Sequence, residues 1–140
     1  MADDLPPPAA MPLPTAEPPV SAALMVYALY ALTAAVSLLS AGFHIVPLLS
    51  LVGVIGLVIA YVKRGDARGT WVASHLGYLI RTFWWAMLFG IVCWVLGWIL
   101  AVTIIGIPLA LLLWIATPLW IIYRIIRGYL WFKDSKPVPA

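Results

Sequence analysis

Two runs of 20 residues, 22–41 and 83–102, contain no Asp, Glu, Lys or Arg. At about 1.5 Å per residue, each makes a helix roughly 30 Å long, the thickness of a bilayer's hydrocarbon core. Charge is scarce elsewhere too. It makes up 9% of the chain, against about 25% in a typical soluble domain. So few charges cannot coat a water-facing surface, and the composition places the chain in a membrane. The 140 residues allow one domain. The single cysteine, Cys93, lies inside an apolar run and can form no intrachain disulfide. No Cys/His or acidic cluster offers a metal-ligand set, so neither metal nor cofactor is expected.

Residues 1–21 hold seven of the 12 prolines and the acids Asp3, Asp4 and Glu17, with no Lys or Arg. Proline at this density blocks helix, so an extended, solvated tail is expected. The first helix is predicted over 22–41, with Ser21 placed to cap it. Gly42, Phe43 and His44 make a short turn, and Pro47 suits the first turn of a second helix over about 46–62. Gly53, Gly56 and Ala60 share one face of that helix and let another helix approach closely. The partner is either a helix of the same chain or a second copy. Lys63, Arg64, Asp66 and Arg68 then form the one charged loop.

The third helix is predicted over 71–102, longer than a bilayer needs, with 71–82 as an amphipathic lead-in at the membrane face. A turn over 103–107 leads to a fourth helix over about 107–127, with Pro108 in its first turn. Thr117 and Pro118 lie at its middle, where proline should kink it. Residues 131–140 are a polar, proline-containing tail expected to fray. The architecture expected is all-α and polytopic, with four transmembrane helices in two hairpins.

Orientation follows from charge. Lys63, Arg64, Arg68 and Arg81 lie between helices 2 and 3 or in the lead-in, and Arg124, Arg127, Lys133 and Lys136 lie at the end of helix 4 and beyond. The other two turns have none. With four spans both clusters fall on one side, which the positive-inside rule makes the cytoplasm. Both termini are then cytoplasmic.

The chemistry-bearing residues are few. Arg68, Trp71, His75, Tyr78, Thr82 and Trp85 fall within roughly a third of a helix circumference. The stripe reads either as ligand-facing and proton-sensitive, since His titrates near neutrality, or as an interfacial helix whose polar and aromatic groups sit at headgroup level. Arg81 is one turn from an uninterrupted apolar run, with no carboxylate in any predicted span. It must snorkel, bind a lipid phosphate, or meet a partner or helix-end carbonyls. Lys63, Arg64 and Arg68 are further candidates for lipid or partner contact. His44 has no acid or base beside it, and Cys93 has no activating base, so catalysis lacks its pair. The basic residues are too few and too close to the membrane for nucleic acid.

The run IAYVKRGDARGTWVASHLGYLIRTFWW resembles the signature of a family of small uncharacterised proteobacterial inner-membrane proteins. The matching elements are an AYVKR helix end at 60–64, ARGTW at 67–71, His75, and IRTFW at 80–84. Arg124 and Gly128 are similar to the family's closing R-x-x-x-G element. The likeness covers about 22–130 and extends distantly to the four-helix proteins grouped with the translocon channel component of the chloroplast inner envelope. It implies class and topology and no particular activity. The expectation is a non-enzymatic bacterial inner-membrane protein, an accessory or assembly subunit whose partners are lipids, a membrane protein or a second copy. The alternative is an oligomeric channel or translocon-like component.

Overall fold

A computed structural model of the chain describes residues 17–40 and 51–139. It is all-helical: α1 (Val20–Leu39), α2 (Leu51–Asp66), α3 (Trp71–Ala101) and α4 (Gly106–Lys133). Three of these, α1, α3 and α4, are long and apolar enough to cross a membrane. Most of the proline-rich tail, the His44 turn, Pro47 and the predicted start of the second helix lie outside the described residues.

The helix boundaries have local causes. α1 opens on Pro19, and Ser21 sits inside the first turn without capping it. At this entrance the Val20 N–H bonds the Pro18 carbonyl at 2.7 Å, and the Ala23 N–H bonds the Pro19 carbonyl at 3.2 Å. α2 runs past Val62 to Asp66, and the Lys63 Nζ–Asp66 Oδ2 pair, 3.0 Å apart, lies across the added turn. The charged loop therefore shrinks to residues 67–70, where Gly69 adopts φ +79° and lets the chain reverse. α3 is continuous from Trp71, so the predicted lead-in and span are one rod of 31 residues. Between α3 and α4, the Thr103 hydroxyl donates to the Leu100 carbonyl at 3.0 Å and accepts from the Gly106 N–H at 3.1 Å. Pro108 falls in the first turn of α4, and the helix continues through Pro118.

α4 passes the predicted end at Arg127 and reaches Lys133. Phe132 explains the extra turns. It is buried, with its ring centroid 5.1 Å from those of Trp71 and His75 and 5.6 Å from that of Tyr27.

The helices pack as a four-membered ring, α2–α1–α4–α3, with a lesser diagonal contact between α1 and α3. α3 and α4 are antiparallel: Tyr78 bonds Arg124, Phe89 meets Trp120, and Trp98 meets Trp114. α1 and α3 are parallel, since Tyr27 meets His75 and Tyr30 meets Phe83 further along both. The core mixes apolar groups such as Val26, Leu76, Leu79 and Ile121 with the buried His75, Thr82 and Thr117. The outside is apolar instead: Leu88, Phe89, Val92, Ile99 and Leu112 are all exposed. A bundle with polar groups inside and large apolar groups outside is built for lipid.

Candidate functional site

The candidate residues gather at the end of the bundle where α2 finishes, α3 starts and α4 finishes. One buried and one half-buried cluster and a set of arginine-lined cavities make up this end.

The first cluster is centred on His75, which has no exposed surface. Its Nε2 lies 2.8 Å from the Lys136 carbonyl, and its Nδ1 lies 3.0 Å from the Tyr27 hydroxyl. A carbonyl can only accept, so Nε2 carries the proton. In the neutral ring Nδ1 then accepts from the Tyr27 O–H. The Val138 N–H donates to Ser74 Oγ at 3.1 Å, one residue before His75. The C-terminal tail is thus held along α3 by two bonds where fraying was expected. The turn after α4 directs it there, with Ser135 at φ 54° and the Lys136 N–H donating to the Trp131 carbonyl at 3.1 Å.

The second cluster ties α3 to α4 in a closed circuit. Arg124 Nε donates to Thr82 Oγ1 at 2.7 Å, Thr82 Oγ1 donates to the Tyr78 carbonyl at 2.7 Å, and the Tyr78 hydroxyl donates to the Arg124 carbonyl at 3.0 Å. The Arg124 guanidinium also lies 4.5 Å from the centre of the Tyr78 ring and 5.3 Å from that of Trp120. Contacts of this kind hold a guanidinium in place while leaving its outer N–H groups free. A Cβ on Gly128 would come within 2.7 Å of the Tyr27 hydroxyl and 2.8 Å of the Tyr78 ring, so glycine is what lets α4 approach both.

The remaining candidates lie around these clusters. Arg81 is exposed, and lines a cavity of about 460 Å³ with Tyr78, Arg124 and Arg127. It also borders a second cavity of about 440 Å³ with Arg64, Trp84, Trp85 and Leu88. Arg64 and Arg68 line a third, of about 780 Å³, beside Ser74. Lys63 is paired with Asp66. Gly53, Gly56 and Ala60 are the buried residues of α2, and a Cβ on Gly56 would come within 2.7 Å of the Tyr30 ring on α1. That face is occupied within the chain and leaves no free seam for a second copy.

The predicted stripe divides. His75 and Thr82 are buried between helices, Trp71 and Tyr78 are half-buried, and Trp85 is exposed; Arg68 precedes the helix and is exposed. The structure brings Arg81 and Tyr78 together with Arg124 and Arg127, which the sequence marked as basic residues at the end of a span and, for Arg124, as part of the R-x-x-x-G element. One signal was available. Arg81 and Trp85, and again Arg127 and Trp131, repeat an Arg-x-x-x-Trp spacing on two adjacent helices. Tyr27 gives no comparable signal, because its role depends on the parallel pairing of α1 with α3. Among the described residues no group of three His, Cys, Asp or Glu could hold a metal ion. No protein-family model, curated protein or solved structure matches the chain.

Proposed function

We propose that the chain is a non-enzymatic bacterial inner-membrane protein, an accessory or assembly subunit with four spans and both termini in the cytoplasm. It works through helix and lipid contacts at its basic end. The observation that carries this reading is the engagement of the polar groups. Both nitrogens of His75, the Thr82 hydroxyl and the Arg124 Nε are committed to bonds that join α1, α3, α4 and the tail. A histidine bonded at both nitrogens serves architecture better than proton transfer. The elements of the family resemblance support the same view, since Thr82 of IRTFW meets Arg124 of R-x-x-x-G.

The four-span reading has a geometric argument. If α1 and α3 both cross the membrane and run parallel, the chain between them must return across it. α2 supplies 16 residues of that return, roughly 24 Å at 1.5 Å per residue. The basic end then faces the cytoplasm by the positive-inside rule.

The test is photo-crosslinking in cells from positions 64 and 68, followed by extraction in mild detergent. A specific crosslinked membrane protein, with no ion flux through liposomes holding the purified chain, is the expected result. A discrete homo-oligomer with flux that Arg81→Ala alters would replace this reading with the channel.

A further inference from the structure

The cavity shared by α3, α4 and the tail has an unbalanced lining. Arg81, Arg124 and Arg127 face it, and among the described residues no Asp or Glu does. The acids nearest in sequence are taken: Asp66 pairs with Lys63, and Asp134 with Lys136. Among the described residues, Arg81 and Arg127 have neither an ion pair nor a hydrogen bond. All three arginines line the same cavity as Tyr78, and the Arg124 guanidinium lies 4.5 Å from the centre of the Tyr78 ring. Arginines beside a bilayer's apolar core are expensive without a counter-charge.

We propose that this cavity binds the phosphate of an anionic phospholipid headgroup, with Arg81, Arg124 and Arg127 as its ligands. Arg124 is the preorganised member. Its Nε is fixed by Thr82 and its plane by Tyr78 and Trp120, and the four other N–H groups of the guanidinium remain for the anion. Arg81 and Arg127 close on the phosphate from the two helices. Val138 and Pro139 of the tail form part of the wall, and the His75 and Ser74 bonds hold that wall in place.

A lipid fits better than a soluble phosphate because of what lies on the other side of Arg81. The adjoining groove is lined by Ile80, Trp84, Trp85 and Leu88, with Arg64 at it as well as Arg81. A charged pocket opening beside an apolar groove matches a headgroup joined to acyl chains. Trp85 and Trp131, both at the charged cavity, are the residue type that settles at the headgroup level.

This proposal rests on the membrane reading above, and the experiment separates the two. The full chain is reconstituted in nanodiscs of phosphatidylcholine with a minor fraction of phosphatidylglycerol, and retained lipid is counted by native mass spectrometry after release. The wild type should retain phosphatidylglycerol in preference to phosphatidylcholine. An arginine near a membrane surface is worth about a fivefold change in affinity, so R81Q/R127Q should reduce the preference about 25-fold or abolish it. Both side chains are exposed and unpaired, so the fold should survive, which circular dichroism checks. R68Q/K133Q removes the same charge outside both the cavity and the groove and should leave most of the preference intact. Equal loss in both double variants would show diffuse attraction only and overturn the site. So would an unchanged R81Q/R127Q, or displacement of the lipid by millimolar inorganic phosphate. A chain that inserts normally but shows no preference sinks the site alone, while a chain that fails to insert sinks the membrane reading with it.

Discussion

At the scale of single residues, His75 does most to join separate parts of the chain. Its two nitrogens face different neighbours, so the two bonds can be removed separately. Tyr27→Phe leaves Nδ1 buried without its donor and should destabilise the protein by about 1 kcal/mol, because a buried unmet acceptor keeps its desolvation penalty. The tail should stay in place, since Nε2 still holds the Lys136 carbonyl. His75→Ala removes both bonds and the ring that Phe132 and Trp71 pack against. It should cost about 2–4 kcal/mol, in the range of large-to-small core changes. Thermal unfolding in detergent micelles measures the two costs. Hydrogen exchange over residues 134–139 reads the tail, which should exchange faster in His75→Ala and not in Tyr27→Phe. Equal exchange in both would show that the tail is held by something other than His75. The sequence marked His75 as a residue to watch, yet its partners lie 48 residues upstream and 61 downstream. Nothing in local periodicity encodes such pairs, and the tail's polar composition argued for fraying.

At the scale of helices, close approach decides where small residues are needed. Gly56 and Gly77 make a controlled comparison. A Cβ at Gly56 would meet the Tyr30 ring at 2.7 Å, while one at Gly77 would meet nothing within 4 Å. Tyr30 is fully buried, so it has little room to yield. Gly56→Ala should therefore push α1 from α2 and cost about 1–3 kcal/mol, as overpacking does. Gly77→Ala adds helix propensity without a clash and should stabilise by up to about 1 kcal/mol. Opposite shifts of melting temperature in one detergent are the expected outcome. A Gly56→Ala variant as stable as wild type would mean that the α1–α2 contact is looser than the structure has it. The small-residue face of α2 was legible from spacing alone, because 3.6-residue periodicity is local. The extra turns of α4 were not. Arg124 and Arg127 looked like the end of a span, and only the burial of Phe132 among rings from α1 and α3 explains why the helix continues. The same charged appearance hid the Arg81–Arg124–Arg127 grouping, which needs the antiparallel register of α3 and α4 to exist.

At the scale of the whole molecule, the direction of each helix constrains the membrane topology more tightly than hydropathy does. α2 is the ambiguous element. Its 16 described residues include Lys63, Arg64 and Asp66, and it is not among the helices long and apolar enough to span unaided. A three-span chain would place α1 and α3 in opposite directions across the bilayer. The packing opposes that, because Tyr27 with His75 and Tyr30 with Phe83 set the two helices parallel. The four-span proposal fits this packing and three spans do not, while the charge asymmetry fits either, because α3 and α4 form a hairpin whose two basic ends share a side. The prediction is specific at four points. Reporters fused at the N-terminus and after Lys136, and one inserted near Arg68, should all read cytoplasmic, and one inserted at Ile104, in the turn between α3 and α4, should read extracytoplasmic. A chain in which α2 stayed on one surface would put the Arg68 and N-terminal reporters on opposite sides, and that result would force α1 and α3 apart.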